Sequence, residues 1–267
     1  MRTREASPKS ATPTRHGFPS RRILGVRVDA IDYAGAVQLL VTWARAAESR
    51  YVCVSPVHAI MEAYQAPDFR DVVERADLVT PDGMPLVWCL RLLGVRMATR
   101  VYGPSLTEHT LAVAEKAGVP VGFYGGSQET LDRLVAAVRA RYPRLAVVYA
   151  SSPPFRQLTP EEDADVVGQI NASRATILFV GLGCPKQERW MGAHRGRTRA
   201  VLVGVGAAFD FLAGTKRQAP AWMQRSGLEW LFRLCQEPRR LRYRYLKHNP
   251  RFLALFALQY LGLRRFR

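Results

Sequence analysis

Residues 177–190, I-L-F-V-G-L-G-C-P-K-Q-E-R-W, constrain the fold most strongly, because an apolar run there ends abruptly in a polar cluster. Four consecutive apolar residues bounded by glycine predict a strand that is buried on both faces of a parallel sheet. Gly181 and Gly183 predict a sharp turn in which the backbone can approach a ligand closely, since neither residue carries a Cβ atom. Open α/β sheets bind ligands at the carboxyl ends of their strands. The candidate substrate-binding residues of this turn are Gly183, Pro185, Lys186, Gln187 and Glu188. A tight strand-to-helix turn that binds nothing is the alternative.

Two common nucleotide-binding motifs are excluded at this turn. A dinucleotide fingerprint needs a third glycine at position 186, where Lys186 stands, and an acidic residue about 20 positions further on, where the chain reads V-L-V-G-V-G-A-A. A P-loop is excluded because no Gly-Lys-Ser/Thr follows. The sequence therefore argues against an NAD-dependent oxidoreductase and an ATPase, and it indicates no cofactor.

Strands alternate with helices from residue 23 to residue 225, which predicts a Rossmann-like, mainly parallel α/β sheet with flanking helices. The predicted strands are 23–31, 51–54, 76–80, 120–124, 145–149, 177–180 and 200–205. Glycine turns at residues 125, 183 and 206 should therefore meet at one edge of the sheet. Gly125 and Gly126 precede a predicted helix, whose free N–H groups would suit an anion.

The loop after the third predicted strand, P-D-G-M-P, holds Asp82 beside a glycine and between two prolines. Such a loop is a rigid mount for a side chain that must keep its position. An Asp-Gly hairpin turn is the alternative, but residues 86–93 look helical, and a hairpin would need a strand there. We therefore interpret Asp82 as a functional residue, because of where its loop lies.

The net charge of +17 belongs mainly to the two ends of the chain. Residues 1–22 hold six basic residues and one acidic residue, and residues 237–267 hold nine basic residues and one acidic residue. Residues 1–22 lack the apolar core of a signal peptide and are predicted to be a disordered basic tail. The predicted organisation is this tail, an α/β domain over 23–225 and a basic amphipathic helical appendage over 226–267.

The appendage contains an apolar run at residues 252–263 that is flanked by arginines. Twelve apolar residues are too few to span a bilayer. An apolar helix with aromatic rings and flanking arginines is suited to the interface of an anionic membrane. A basic helix that packs on its own domain is the alternative.

The cysteines and an Asp-x-Asp motif could indicate thiol or metal chemistry, but their spacing and position argue against both. The four cysteines lie far apart without a C-x-x-C pair, which argues against a zinc ribbon or a disulfide framework and fits a reducing compartment. Asp163 and Asp165 form an Asp-x-Asp motif, but both lie inside a predicted helix whose amino end favours acids. We interpret that helix as solvated, and no metal site is predicted.

Seven motifs occur together in one order, and together they resemble the WecG/TagA/CpsF family of glycosyltransferases over about residues 23–246. They are V-T-P-D-G-M-P, R-V-Y-G-P-S-L, F-Y-G-G, V-G-L-G-C-P-K-Q-E-R-W-M, V-G-V-G-A-A-F-D-F-L-A-G, Q-A-P-A-W-M and G-L-E-W-L-F-R-L-C-Q-E-P-R-R-L. The resemblance implies transfer of a sugar such as N-acetylmannosamine from a UDP-sugar to a sugar on undecaprenyl diphosphate. It also implies inversion at the anomeric carbon and no bound metal.

The resemblance also implies roles for particular residues. Asp82 would be the general base, and Gln187 would contact substrate. The diphosphate of the leaving group would meet the glycine turns and cationic side chains, for which Arg100, Arg233, Arg240 and Arg244 are candidates. The appendage would dock at the cytoplasmic face of the bacterial inner membrane, where the lipid-linked acceptor resides.

The chain departs from the family pattern at two places. Many members have Asn where Ser55 stands, so the donor or acceptor sugar could differ. The late arginine cluster is R-L-R-Y-R-Y instead of R-L-W-R-R-Y, which displaces one arginine. His58, which follows the altered loop, is a candidate for a sugar contact or for a structural role at a helix start.

A different class of function is kept as the alternative, a nucleic-acid-binding protein that uses its basic ends. The sequence contains no RNP, KH or zinc-finger motif, so nucleic acid is not an expected partner. Homo-oligomer formation is left open by the sequence.

Overall fold

The computed structural model describes residues 12–13 and 16–266, and it contains two sheets. The strands are β1 (Thr12–Pro13), β2 (Pro19–Ile23), β3 (Val26–Asp29), β4 (Arg50–Ser55), β5 (Leu78–Pro81), β6 (Val121–Gly125), β7 (Val147–Ser151), β8 (Ile177–Gly181) and β9 (Val201–Gly204). The helices are α1 (Tyr33–Arg45), α2 (Val57–Gln65), α3 (Pro67–Arg75), α4 (Met84–Leu92), α5 (Gly103–Ala117), α6 (Gln128–Arg141), α7 (Pro160–Ser173), α8 (Lys186–His194), α9 (Ala208–Leu212), α10 (Ala221–Arg225), α11 (Glu229–Gln236) and α12 (Pro238–Tyr260).

The main sheet has six strands in the order β5-β4-β9-β8-β6-β7, and every neighbouring pair is parallel. The predicted Rossmann-like α/β fold is therefore confirmed. Because the strands are parallel, the loops that follow Ser55, Pro81, Gly125, Gly181 and Gly204 all leave the same edge. This carboxyl edge brings together chain segments that are far apart in the sequence.

Strand β8 is buried on both faces, as its apolar run predicts. Ile177 and Phe179 belong to a hydrophobic core that includes side chains of α1, α5 and α6. Leu178 and Val180 belong to a second core, on the other face, that includes side chains of α2, α3 and α12. The sheet is thus a central layer between two helical layers.

The amino-terminal boundary differs from the sequence prediction. Residues 19–22, assigned to a disordered tail, form most of β2, which pairs antiparallel with β3. The sequence has little apolar pattern there because the side chains are mostly polar, and β2 is held instead by backbone hydrogen bonds to β1 and β3 on either side. Residues 1–11 and 14–15 lie outside the described residues.

The carboxyl-terminal segment is one long helix, α12, which continues through Pro250. Its buried side chains Phe252, Leu255 and Phe256 join the core that contains α2. The side chain of Gln259 accepts a hydrogen bond from the N–H of Leu24 at 2.8 Å and donates one to the carbonyl of Arg22 at 2.7 Å. These contacts fix α12 to the body of the protein and to the β2–β3 hairpin.

Candidate active site

Asp82 is held at the carboxyl edge by backbone hydrogen bonds on both sides of its loop. Its N–H donates to the carbonyl of Ser55 at 3.0 Å, and the N–H of Val101 donates to the carbonyl of Pro81 at 2.9 Å. Helix α4 begins at Met84, immediately after the loop. Since no strand follows Gly83, the hairpin-turn alternative is excluded, and the loop is a fixed connection between β5 and α4.

Two clefts meet at Asp82. The larger, which we call the strand-end cleft, has a volume of about 370 Å³ and is bounded by the loops after β4, β5, β8 and β9. The smaller, which we call the helix-side cleft, has a volume of about 100 Å³ and is bounded by the start of α2 and by α11 and α12. Pro56, Asp82 and Arg233 line both clefts. A group bound in either cleft would therefore lie against the same carboxylate.

The surroundings of Asp82 raise its pKa. Its side chain is 19% exposed. Burial, opposed by the positive charge of Arg100 and aided by the negative charge of Glu229, raises the pKa to about 6. At neutral pH the group is ionised, and it is a stronger proton acceptor than an ordinary aspartate.

Arg100 is held in place beside Asp82 by three contacts. Its guanidinium forms an ion pair with Glu229 and donates from Nε to the carbonyl of Asp82 at 2.5 Å. It lies over the ring of Tyr102, 4.1 Å from the ring centre, and its Nη2 is 3.9 Å from Oδ1 of Asp82. Arg100 is thus a cation that tunes and positions Asp82.

Arg233 reaches the site from α11. Its guanidinium lies over the ring of Phe211, 5.8 Å from the centre, and the side chain lines both clefts. This placement sets it apart from Arg100, which lines only the helix-side cleft and is engaged by Glu229.

The turn after β8 forms one wall of the strand-end cleft. Gly183 and Gln187 line it, and the N–H of Gly183 donates to Oε1 of Gln187 at 3.2 Å. Nε2 of Gln187 donates to Glu188 at 2.9 Å. Gln187 therefore joins the turn to α8 while presenting part of its surface to the cleft.

The sequence-predicted residues do not all reach the two clefts. Those that line at least one cleft are Asp82, His58, Arg100, Gly183, Gln187 and Arg233. Those that line neither are Ser55, Gly125, Gly126, Pro185, Lys186 and Glu188. The side chains of Arg240 and Arg244 lie outside the described residues, although both positions belong to α12.

Two of the residues that line neither cleft, Ser55 and Gly125, have structural roles. The side chain of Ser55 is fully buried, and its carbonyl fixes the loop of Asp82. Gly125 lies so close to Gly181 that an added Cβ atom would be 2.7 Å from its carbonyl carbon. Both residues therefore support the carboxyl edge without lining either cleft.

Sequence reasoning missed several residues that line the clefts. They are Tyr102, Asp210, Phe211, Glu229, Trp230, Tyr245, His248 and Asn249. Glu229 and Trp230 stand in the motif G-L-E-W-L-F-R, and Asp210 and Phe211 stand in G-A-A-F-D-F. The two long motifs were the only sequence signal that could have pointed to these four residues. The role of each depends on which helices pack over the edge of the sheet, and the sequence does not specify that.

The Asp-x-Asp motif lies away from the clefts, and its first carboxylate is engaged. Asp163 is bonded to Nε2 of His194 at 2.8 Å and accepts from Arg197 at 2.7 Å. These bonds join α7 to α8 and the loop after it. The interpretation of this helix as simply solvated was incomplete, because Asp163 has a structural role.

Helix α12 has two different faces. Its inner face packs on α2, which agrees with the packing alternative, whereas Leu246, Leu253 and Leu261 are 70%, 62% and 67% exposed. Within the described residues, the helices all fall short of the length and apolar character that a bilayer crossing requires. The exposed leucines form an apolar surface on an otherwise basic helix.

The fold and the site define a Rossmann-like α/β protein whose candidate active site lies at the carboxyl edge of a parallel sheet. The chain belongs to the Glycosyl transferase WecG/TagA/CpsF family, whose sequence profile matches residues 21–266. The resemblance drawn from the seven motifs is thereby confirmed.

Two curated relatives have the same name, N-acetylglucosaminyldiphosphoundecaprenol N-acetyl-beta-D-mannosaminyltransferase. The one from Bacillus subtilis (strain 168) is 30% identical over 172 residues, which cover 64% of this chain and 65% of the relative. The one from Bacillus spizizenii (strain ATCC 23059 / NRRL B-14472 / W23) is 31% identical over 194 residues, which cover 72% of this chain and 73% of the relative. The chain thus spans slightly less than two thirds of the length of the first relative.

Proposed function

We propose that this protein is a metal-independent, inverting glycosyltransferase that moves an N-acetylmannosamine-like hexose from a UDP-sugar to a sugar carried on undecaprenyl diphosphate. The observation that carries this proposal is the position of Asp82, a carboxyl group with a pKa of about 6 at the junction of two clefts. Family membership and the names of the two relatives support the reaction class and the acceptor.

Asp82 is the general base in this proposal. Its carboxylate takes the proton of the acceptor hydroxyl while that oxygen attacks C1 of the donor sugar. A base works best when its pKa lies near the working pH. Burial brings the pKa of Asp82 closer to 7 than the pKa of an exposed aspartate.

The strand-end cleft would hold the UDP-sugar. Its volume of about 370 Å³ lies within the range of roughly 300–1,000 Å³ that is usual for small-molecule sites. Negative charge develops on the leaving diphosphate, and the glycine turns after β8 and β9 and Arg233 supply N–H groups and positive charge there.

Two observations favour chemistry without a metal at the diphosphate. Asp82 and Asp210 are the aspartates that line the strand-end cleft among the described residues, and each lies near a cation. Asp210 pairs with Lys216 at 2.9 Å, and Asp82 lies 3.9 Å from Arg100. Carboxylates compensated in this way have less attraction for a metal ion than an open carboxylate pair.

The placement of Asp82 between the clefts supports inversion. In a single displacement the acceptor oxygen attacks the face of C1 opposite the leaving UDP, so donor and acceptor must lie on opposite sides of the reacting carbon. A donor in the strand-end cleft and an acceptor in the helix-side cleft would meet this requirement at Asp82.

The acceptor is part of a lipid, and α12 supplies a surface that suits it. Exposed leucines and arginines on one helix favour the interface of an anionic membrane. We place the protein at the cytoplasmic face of the bacterial inner membrane as a peripheral protein of surface polysaccharide synthesis. In this arrangement residues 226–267 act as the membrane-association appendage of the α/β domain.

The decisive experiment measures UDP release from a panel of UDP-sugars in EDTA, with and without a short-chain undecaprenyl-diphosphate-sugar analogue. We expect acceptor-dependent release with one donor for the wild type and for Asp165→Asn, a matched change at an exposed aspartate of α7. Asp82→Asn should reduce turnover by at least about a hundredfold, within the range usual for loss of a general base. Full activity of Asp82→Asn would remove Asp82 from the mechanism.

Stability measurements distinguish lost chemistry from lost folding in Asp82→Asn. The pKa of Asp82 is about 6 in the folded protein and about 3.9 in an unfolded chain. The stability that this group contributes at low pH is therefore lost as the pH rises through 6. The asparagine variant escapes this loss, so its Tm at pH 8 should equal or exceed that of the wild type.

A further inference from the structure

His58, Glu62 and His248 form a cluster that joins α2 to α12. We propose that these three side chains bind a divalent transition-metal ion, with zinc as the best match, and that this ion fastens α12 to the body of the protein. The ligand atoms of the three residues all lie within 4.8 Å of one another. The site goes beyond the proposed glycosyl transfer, and no motif in the sequence indicated it.

The distances suit a shared ion. Oε1 of Glu62 is 3.7 Å from Nδ1 of His58 and 3.6 Å from Nε2 of His248. Zinc–nitrogen bonds of about 2.0–2.1 Å in a tetrahedral site place neighbouring ligand atoms roughly 3.3 Å apart. Each histidine is therefore within a few tenths of an ångström of the required separation from Glu62, whereas the two histidine nitrogens, which lie within 4.8 Å of each other, would have to move together by up to about 1.5 Å.

The ligand types indicate zinc more than magnesium or calcium. Imidazole nitrogen suits zinc and other late transition metals, whereas magnesium and calcium prefer oxygen ligands. Two histidines and one glutamate, with an open fourth position, form a recurring zinc ligand set. Both histidines line the helix-side cleft, from which water could reach such a position.

The two imidazole rings lie close to each other as well as to the carboxylate. Their centroids are 5.1 Å apart, and the rings meet edge to face. One metal ion between them could bind to all three side chains at once.

The location gives the ion a structural role. His58 stands near the start of α2 and Glu62 one turn later, while His248 is a 4% exposed side chain of α12. An ion held there would bind only when α12 is docked, and binding to the folded form alone raises stability. It would thereby add stability to one wall of the helix-side cleft, which Phe252, Leu255 and Phe256 also hold in place, so that removal of the ion by EDTA should lower the Tm without undocking α12.

The test is a zinc titration of tag-free protein from which metal has been removed by chelation and dialysis. We expect one zinc ion per chain for the wild type by calorimetry, and the same for His109→Gln, which removes an exposed histidine of α5. Glu62→Gln and His248→Gln should each weaken zinc binding by more than about tenfold, a loss that even changes outside the ligand shell can produce. Zinc should also raise the Tm of the wild type and of His109→Gln, but not that of His248→Gln.

The titration uses protein without substrate, so its result does not depend on sugar transfer. Glu62 is 31% exposed, so Glu62→Gln should fold even if His248→Gln does not. Absence of stoichiometric zinc binding to the wild type would overturn the proposal. Stoichiometric binding that both ligand variants retain would overturn it too, because the ion would then lie elsewhere.

Discussion

At the scale of single residues, the ionisation of Asp82 depends on a balance between two neighbours of opposite charge. Arg100 lowers the pKa of Asp82 and Glu229 raises it, while burial makes the largest contribution and brings it to about 6. Glu229 also holds Arg100 in an ion pair. The strength of the proposed base is therefore set mainly by burial and is adjusted by a residue that belongs to α11.

Glu229→Gln should move the acidic limb of the pH–rate profile to lower pH. In the wild type, kcat/KM should fall below pH 6 as Asp82 becomes protonated, by about tenfold per pH unit at the lower end. Loss of the Glu229 charge favours ionisation of Asp82, and it also releases Arg100 to approach that carboxylate. Both effects lower the pKa of Asp82.

The measurement is kcat/KM between pH 4.5 and 8 for the wild type, Glu229→Gln and Glu108→Gln. Glu108 forms an ion pair with Arg141 on the surface, so its variant should keep the wild-type limb. A limb that stays near pH 6 in Glu229→Gln would show that Glu229 does not control the base.

At the scale of secondary-structure elements, the close approach of β6 and β8 depends on glycine. Gly125 has a φ of +121°, and an added Cβ atom would lie 2.7 Å from the backbone of Gly181. Backbone conformations of this kind are costly for any residue with a side chain, and the neighbouring backbone has no flexible group that could move aside. The carboxyl edge is thus shaped by strand packing as well as by the loops above it.

Gly125→Ala should lower the free energy of unfolding by more than about 2 kcal/mol, because strain and overpacking act together. Gly168 offers the matched control, since it lies within α7 and an added Cβ atom there would meet nothing within 4 Å. Gly168→Ala should raise the free energy of unfolding by about 0.5–1 kcal/mol. Urea denaturation of the two variants checks both signs, and equal stabilities would contradict the close-packing argument.

The elements of the main sheet could be predicted from the sequence because each is an apolar run followed by a turn. Strand β8 was predicted over residues 177–180 and is observed over Ile177–Gly181. Strand β2 was missed, since its P-S-R-R start has no apolar pattern and is held by pairing with β3. Pattern reasoning finds elements whose side chains are buried and misses those that backbone pairing maintains.

The candidate site was predictable only in part, for a related physical reason. Asp82 was identified because the two prolines and the glycine around it predict a rigid loop. Glu229 was missed because its ion pair with Arg100 forms only where α11 lies over the edge of the sheet. Tyr102 was missed because a ring contact with the nearby Arg100 leaves no pattern in the sequence. A lone sequence specifies which residues end each strand, but not which helix will face them.

At the scale of the whole molecule, the protein presents an apolar face that its own fold does not cover. Leu246 and Leu253 lie about two helical turns apart on α12, and Leu261, the residue that caps the helix, lies about two turns further on, so the three share one side of it. The opposite side is fixed to α2 by buried aromatic residues. The domain therefore holds this apolar strip at a constant orientation relative to the helix-side cleft.

Replacing the three leucines by glutamine should reduce binding to anionic phosphatidylglycerol vesicles by more than about tenfold, since each inserted leucine contributes up to about 1.5–3 kcal/mol. The matched control replaces Leu92, Met97 and Phe155, which are exposed on other parts of the protein. Vesicle flotation measures binding, and the Tm of each variant checks folding. Unchanged flotation of the α12 variant would refute an interfacial role for this strip.

The hydrogen bonds of Gln259 to the β2–β3 hairpin have a consequence for the order in which the molecule is completed in the cell. A ribosome makes the chain from its amino end, so the hairpin is present throughout synthesis while its partner in α12 is among the last of the described residues to emerge. Tyr245, His248 and Asn249, which wall the helix-side cleft, arrive with the same helix. The nascent protein can thus assemble its parallel sheet before α12 has been made, and it gains its second cleft only after that helix has emerged.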